Sequence, residues 1–545
     1  MTKRKWADAL RMRWGWARGI FVCAVMAVAI LQVGCSKEYY KQDADEEVYK
    51  ILGEKWQDDF PSRANYRISD VARGPNDVAA PEVAAVRGQL ALAEAVAIAT
   101  AHNREYQQRK ESLYLEALSL TLDRHAFAPQ FFGLLGGGYR RDADDESLSS
   151  SGELGFDMLL AEGTAISASV ASNWLRYLTG DPRTSLGSVL SATITQPLMR
   201  GAWREVVQEG LTQAERDVLY ELRDFNRFRK TFVVARVADY YNVLRAMDQV
   251  RNAKDNYDSL TYIYERTRMM AQAGRVEPLR AGETLQDQLE AQDSYVRAQE
   301  NYEQALDQYK ISLGLPTEAR IWLDPGELDA LEGLAIEDPN YSIELIMAAA
   351  IEHRLDLATS ADRVADAERK VIVAANGLAP ELNLVASANV DTPSGQRFAR
   401  FQFNEGSYAL GLEFDPDLDR KQERNSYRQA LISLTRTTRA YEQARDQVKF
   451  DARQAYRNLR EAASVYEIRL LSLRLALQRV EGEQLKLEAG VGVTRDLLNA
   501  QRSLLQAQND KTDALVGYTV ARLAFARDLG VLDVRPDGLW ELELP

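Results

Sequence analysis

The chain has 545 residues, 27% of them charged, and a mean hydropathy of -0.36; it is too long for one ordinary globular core and too polar for a bundle of membrane-spanning helices. Its formal net charge is -14, and an acidic body argues against nucleic acid as a partner, because phosphate binding needs a basic surface. Three histidines (His102, His125, His353) and two cysteines cannot build a disulfide framework or a zinc site, so neither a metal nor a cofactor is expected.

The first element is an address. Residues 1–18 are basic, 20–33 (IFVCAVMAVAILQV) are apolar, and the run ends at Gly34-Cys35. A charged n-region, an apolar h-region of about 14 residues and a small residue before the cut predict a signal peptide over 1–34, shorter than the roughly 20 residues a spanning helix needs. Its removal takes away a net charge of +5 and leaves -19. Leu31-Gln32-Val33-Gly34-Cys35 resembles a bacterial lipoprotein lipobox, with Leu31 one place earlier than the pattern has it. That resemblance implies lipidation of Cys35, and Ser36 after it implies delivery to the outer membrane. The alternative is an ordinary signal peptide cut nearby, with Cys35 left as a free thiol. Residues 36–88 are polar and read as an extended linker, the second part of a lipid-anchored segment over 35–89.

The rest of the chain is written twice. At an offset of 251, Ala97, Ala99 and His102 match Ala348, Ala350 and His353, and Ala128-Pro129 matches Ala379-Pro380. Further on the offset is 216: Tyr240, Asn242 and Ala246 match Tyr456, Asn458 and Ala462. From there residues 273–315 align with 489–531 without a gap at ten identities. The first copy therefore carries about 35 extra residues between Pro129 and Tyr240. The copies are placed at 90–316 and 341–535, with an inter-repeat linker at 317–340 and a tail at 536–545.

Within each copy the order is the same. A helix at about 92–127 or 342–378 ends before proline. Alternating segments follow: 131–141, 152–160, 165–174 and 188–198 in the first copy, 381–390 and 407–416 in the second. The insertion reads as an extra hairpin near 150–185. Next come helices of about 70 residues, 203–273 and 421–489, roughly 105 Å long each. Return helices at about 278–312 and 494–529 end at Leu313-Gly314 and Leu529-Gly530, with glycine where a C-cap wants positive φ.

Ala291, Ala298 and Ala305, and likewise Ala500, Ala507, Ala514 and Ala521, recur every seven residues and mark a close helix–helix seam. Leu471, Leu473, Leu475 and Leu477 place apolar groups on both sides of their helix, as a closed ring of helices requires. One chain offers too few strands to close a barrel in lipid, so identical chains must associate. The expected fold is mainly α with membrane β: a long-helix α-barrel joined end-on to a β-barrel.

The A-x-A-x-x-H-N helix start, TITQPLMRG (193–201), LxxAxxxYxxALxxYxxSLGLP over 289–316 in outline, and EAGVGVTRDLLNAQRSLLQAQ (488–508), duplicated and in this order, resemble the TolC-like outer-membrane efflux protein family over about residues 90–535. The resemblance implies a homotrimer with a 12-stranded β-barrel in outer-membrane lipid and a helical extension into the periplasm. It also implies docking of the helix tips to a periplasmic adaptor (membrane fusion) protein, and through it to an inner-membrane pump. The tips would be Gly274, Arg275 and Val276 in the first copy, where Glu277 and Pro278 depart from the family's pattern, and Gly490, Val491, Gly492, Val493 and Thr494 in the second. Asp496 and Asn499 occupy the positions of the family's pore constriction; Asp496 can equally serve as a first-turn aspartate stabilising its helix. The function implied is a passive conduit for efflux or export. A structural or adhesive coiled-coil surface lipoprotein is the alternative, disfavoured by strands inside each repeat. No nucleophile–base pair, phosphate loop or metal cluster points to an enzyme.

Overall fold

The computed structural model describes residues 36–60, 64–69, 89–142, 145–178, 184–333, 339–393, 401–536 and 538–542. The expected signal peptide and Cys35 lie outside the described residues. The chain divides into two units, residues 1–58 and 59–545. Among its described residues the first carries α1 (Lys37–Asp59), where extended chain is expected. Its sequence explains the correction. Glu and Lys, both good helix formers, supply eight of its 23 residues and proline is absent, while the Ser36 hydroxyl accepts from the Tyr39 amide at 3.2 Å and caps its start.

The second unit holds the duplicated body. Its first copy runs β1 (Gln89–Leu90), α2 (Leu92–His102), α3 (Arg104–His125), four strands β2 (Gln130–Arg141), β3 (Glu146–Leu159), β4 (Ala165–Tyr177) and β5 (Thr184–Pro197), a short α4 (Arg204–Val207), α5 (Glu209–Gln272) and α6 (Pro278–Leu313). After β6 (Trp322–Leu323) and α7 (Gly326–Gly333) come α8 (Ile343–His353), α9 (Leu355–Asn376), β7 (Glu381–Asp391), β8 (Ser407–Asp415), α10 (Lys421–Glu488), α11 (Thr494–Leu529), β9 (Leu532–Val534) and β10 (Trp540–Leu542). None of the described helices is long and apolar enough to cross a membrane.

The single helix expected at the head of each copy is two helices, broken at Asn103 and at Arg354. No proline or glycine marks either break; the tertiary structure makes it. Gly314, at φ +80, sits so close to the break that an added Cβ would lie 2.4 Å from the His102 carbonyl oxygen. Gly530, at φ +84, lies against His353 in the same way, at 2.5 Å. Each return helix thus ends on the break of its own copy, at a point where only glycine fits. The polar groups released are satisfied differently. Asn103 accepts from the Tyr106 amide at 3.1 Å and donates to the Ser312 carbonyl at 2.8 Å. Arg354 instead binds Asp356 at 2.7 Å and Asp451 at 3.0 Å.

Two tyrosines tie each long helix to the entry of its repeat. The Tyr240 hydroxyl donates to the Leu90 carbonyl at 2.8 Å, and its counterpart Tyr456 donates to the Pro339 carbonyl at 2.9 Å. Around Tyr456 lies a core of Ile346, Ala350, Leu357, Ala452, Phe525 and Leu529, all nearly inaccessible to water. Helices α6, α5, α11 and α10 pack side by side in that order; nearer the strands the order is α3, α5, α9, α10. At about 1.5 Å per residue, the 64 residues of α5 and the 68 of α10 run roughly 100 Å.

The strands form one antiparallel sheet in the order β2-β3-β4-β5-β7-β8. The first copy contributes four strands and the second two. The 12-stranded barrel implied by the resemblance needs four strands from each of three chains; this sheet has six. The two additional strands are β3 and β4, the inserted hairpin, paired over their whole length with each other and with β2 and β5.

Candidate functional site

Directly paired residues share a face of a sheet, so the register sorts the side chains. One face carries Phe131, Leu135 and Tyr139 on β2; Leu148, Leu154 and Phe156 on β3; Ile166, Val170 and Trp174 on β4; Leu186, Leu190 and Ile194 on β5; Leu384 and Val390 on β7; and Tyr408, Leu410, Leu412 and Phe414 on β8. Many of these are open to the surroundings: Leu135 is 91% exposed, Phe131 81% and Leu410 74%. No layer of the described protein covers them. An uncovered apolar face this wide marks a surface that meets either lipid or another protein. Aromatic side chains stand at both of its ends. Phe131 and Tyr139 are eight residues apart, about 27 Å along the strand, or roughly 20 Å of depth at a 40° tilt.

The opposite face is largely polar. Ser149, Ser151, Glu153 and Asp157 line up with Ser167, Ser169 and Asn173, then with Ser191, Thr193 and Thr195, then with Ser387 and Asn389. Phe132, Leu134, Leu159, Leu175 and Tyr177 are its largest apolar or aromatic members, with Val189 and Val385. Its charges are mostly negative: Glu153, Asp157, Glu381, Asp391, Glu413 and Asp415 stand against Arg140. Sequence reading did not single out these carboxylates, although the signal was present. In SYALGLEFD, Glu413 falls out of phase with Tyr408, Leu410, Leu412 and Phe414.

The strands pass into the long helices through a compact junction. Arg200 pairs with Asp417 at 3.0 Å, Gly201 donates to the Asn376 side chain at 2.8 Å, and Arg420 donates to the Leu378 carbonyl at 2.7 Å. Beyond it, ion pairs clamp α5 to α9. Arg216 meets Asp366 at 2.6 Å and Asp362 at 3.1 Å, Arg223 meets Asp362 at 2.5 Å, and Arg369 bridges Asp366 and Glu209 at 2.9 Å each. Tyr220 donates to Asp366 at 2.5 Å; burial, and then that hydrogen bond, push its phenol up to about 12. For Asp356 burial alone would raise the carboxyl, but hydrogen bonding to Arg354 and the charge of Arg227 hold it below the usual range. These pairs join the two repeats and were not foreseen, since partners in different repeats leave no local spacing in the sequence.

At the far end of the helices are the two tips. In the first, Gly274 adopts φ +69, the Arg275 amide donates to the Met270 carbonyl at 2.9 Å, and Pro278 opens α6 with its fixed φ. In the second, Gly490 adopts φ +76, and the amides of Val491 and Gly492 both donate to the Lys486 carbonyl, at 3.1 and 2.9 Å. Gly274 and Arg275 are exposed and Val276 is half-buried; in the second tip Gly490, Val491 and Val493 are exposed, while Gly492 and Thr494 are half-buried. Leu260, Ile263, Ala291, Val480, Leu497 and Ala500 form one buried cluster behind them, so the helices of the two tips pack on a shared core. Asp496 and Asn499 lie on the exposed side of α11, while Leu497, Leu498 and Ala500 between and beside them face the cluster. His102 and His353 mark the two helix breaks on which Gly314 and Gly530 sit. Among the described residues no group of three or more His, Cys, Asp or Glu is placed to hold a metal ion.

The second repeat, residues 346–531, matches the family model described as Outer membrane efflux protein. This repeat is an outer membrane efflux protein domain. The first repeat has the same succession of helix, strands, long helix and return helix, and both repeats contribute strands to one sheet. No curated protein sequence matches the chain significantly. Solved structures with this fold include the CmeC outer membrane channel of Campylobacter jejuni (15% identity, 81% of this chain and 85% of that one, TM-score 0.58). The MtrE outer membrane channel of Neisseria gonorrhoeae, solved in its open state, matches at 14% identity over 81% and 88% of the two chains, with TM-score 0.58. The outer membrane protein VceC of Vibrio cholerae matches at 11% identity over 81% and 96%, with TM-score 0.58. At these identities the likeness is one of fold: helices and strands of an efflux-protein domain persist although few side chains are shared.

Proposed function

We propose that the chain is the protomer of a trimeric outer-membrane conduit. It passes small molecules, ions or protein passively, and it docks by its helix tips to a periplasmic adaptor and through that adaptor to an inner-membrane pump. The observation that carries this reading is the continuity of a two-faced sheet with paired helices roughly 100 Å long. One sheet face is apolar and uncovered, the other polar and acidic. Such a wall is useful only when it separates lipid from water. The resemblance to outer membrane efflux proteins supplies the trimer, the adaptor and the pump. In this reading Cys35 carries acyl chains that hold the N-terminus at the outer membrane, each buried CH₂ contributing about 0.8 kcal/mol. The tip residues Gly274, Arg275, Val276, Gly490, Val491, Gly492, Val493 and Thr494 meet the adaptor. Three copies of Asp496, with Asn499 one turn on, ring the narrow end, where mutual repulsion and attraction for cations favour a mouth that is tight but able to open.

Planar-bilayer recording on the purified protein tests this. Stable, cation-selective conductance steps are expected, and Asp496→Ala raises the conductance while weakening block by multivalent cations. Pure protein that inserts without conducting would end the conduit reading. Unchanged conductance and block in Asp496→Ala would remove Asp496 from the constriction.

A further inference from the structure

The inserted hairpin β3–β4 sits in the middle of the sheet, and it is built as wall. We infer that three copies of this chain close edge to edge into an eighteen-stranded barrel, β8 of each copy pairing with β2 of the next, with the inserted hairpin facing lipid on one side and the aqueous lumen on the other. This rests on the trimeric conduit proposed above and fixes the size of its membrane part.

Four observations carry it. First, β3 and β4 alternate in phase with their neighbours. Leu154, Phe156 and Val170 stand on the apolar face, while Ser151, Glu153 and Ser169 stand on the polar one. A hairpin folded away as an external ornament or a plug has no reason to keep that phase across all six strands. Second, the hairpin contributes to both aromatic ends of the lipid face. Phe156 meets Phe131 with ring centroids 5.9 Å apart at one end, and Trp174 lies near the other. Third, the turn joining β3 to β4 is seated at the junction with the helices. A Cβ on Gly163 would lie 2.8 Å from the Gly201 carbonyl oxygen and 3.0 Å from Pro197. The strands are therefore anchored at the same level as β5.

Fourth, the edges fit. β2 runs away from the helices and β8 runs toward them, so with six strands per chain the free margins of neighbouring copies meet antiparallel, as every other pair in the sheet does. The helical layers end on the same two sides. α3 and α6 flank the β2 side, and α10, with Leu471, Leu475 and Leu477 at least half exposed, flanks the β8 side. Size supports the same count. Twelve long helices, four from each chain, set 8–10 Å apart make a ring roughly 30–40 Å across. Eighteen tilted strands make one of roughly 36 Å, and twelve strands only roughly 24 Å. Eighteen strands continue the helical tube without a taper.

Electron cryo-microscopy of the full chain in lipid nanodiscs, read together with cysteine labelling, tests the inference. A trimer with eighteen wall strands is expected, about 1.5-fold wider than a twelve-stranded barrel at the same tilt. Ser151→Cys and Ser169→Cys should react with a membrane-impermeant maleimide, and Leu154→Cys and Val170→Cys should not exceed the parent chain's labelling. A trimer with a twelve-stranded wall and β3–β4 outside it, or equal aqueous labelling on both faces, overturns the inference and leaves the conduit standing. The absence of any closed ring overturns both.

Discussion

The two repeats keep identical lengths in their entry and return helices and differ in their strands. Helices α2 and α8 have 11 residues each, α3 and α9 have 22 each, and α6 and α11 have 36 each. The sheet contributions are four strands against two. A helix in this body must start and finish at fixed levels, because Gly314 and Gly530 have to land on the breaks after His102 and His353. One residue more or less turns the seam by about 100° and moves the landing by about 1.5 Å. An antiparallel hairpin returns the chain to the level it left, so strands can be added in pairs without disturbing anything beneath them. Length is therefore constrained in the helices that meet at the breaks, while the long helices, of 64 and 68 residues, differ by four residues and strands can be added across the sheet.

If the landing sites are equivalent, Gly314→Ala and Gly530→Ala should each destabilise the protein by more than about 3 kcal/mol, by combining a left-handed backbone with an overlap against a carbonyl oxygen. Thermal unfolding of the purified protein reads this, and a loss confined to one site would break the equivalence of the repeats. A smaller effect sharpens the contrast between the breaks. Arg354→Ala should cost about 2 kcal/mol, because Asp356 and Asp451 lose a nearly buried partner, whereas the first repeat uses Asn103 there and has no such pair. The pH dependence has a definite sign. Asp356 is depressed in the folded state, so its contribution is present above the unfolded carboxylate value near 4 and is lost as pH falls through its lower folded value. Unfolding midpoints measured from pH 6 down to pH 2 should fall less steeply for Arg354→Ala than for the parent.

The tips supply a third contrast. Val491 is 77% exposed on a glycine-flanked turn, while Val276 is half-buried between Arg275 and Glu277. Val491→Asp should weaken capture of the native adaptor at least about tenfold, since burying an unpaired carboxylate costs at least 1.4 kcal/mol. Val276→Asp should weaken it less; the reverse order would assign docking to the first tip. The smallest expected effect concerns Lys110, which is buried beside Arg229 and whose counterpart 251 residues on is Ala361. Burial, and then the charge of Arg229, lower its amine to about 8. The folded state therefore disfavours the ammonium form, and stability should rise between pH 8 and the unfolded value near 10.5. Lys110→Met should raise the melting temperature at pH 7 by a few degrees and remove that rise.

Much of this architecture was legible in the sequence because it is periodic. Alternation located the strands within a few residues, and the absence of proline over long spans located α5 and α10. What escaped was set by contacts between distant segments. Asn103 and Arg354 break their helices under pressure from Gly314 and Gly530, which lie 211 and 176 residues away in the chain. The clamp of Arg216, Arg223 and Asp362 has no local spacing to betray it. The helix at 37–59 was obscured by its charge, since polar runs read as linker unless their propensity is weighed. The acidic row of the polar face needed the strand register, which pairs Glu413 with Asn383 and Asp157 with Gln130 and Ser167.

The bare margins of the sheet have a kinetic consequence. Two copies joined side by side still leave one unpaired β2 and one unpaired β8, as many dangling backbone groups as a solitary copy has. In the proposed trimer each joining event pairs one β2 with one β8, but only closure leaves no margin unpaired, so partial rings should be short-lived next to the finished ring. Until then the greasy outer surface has to be shielded from water by something other than the protein itself, which makes insertion and closure two halves of a single step.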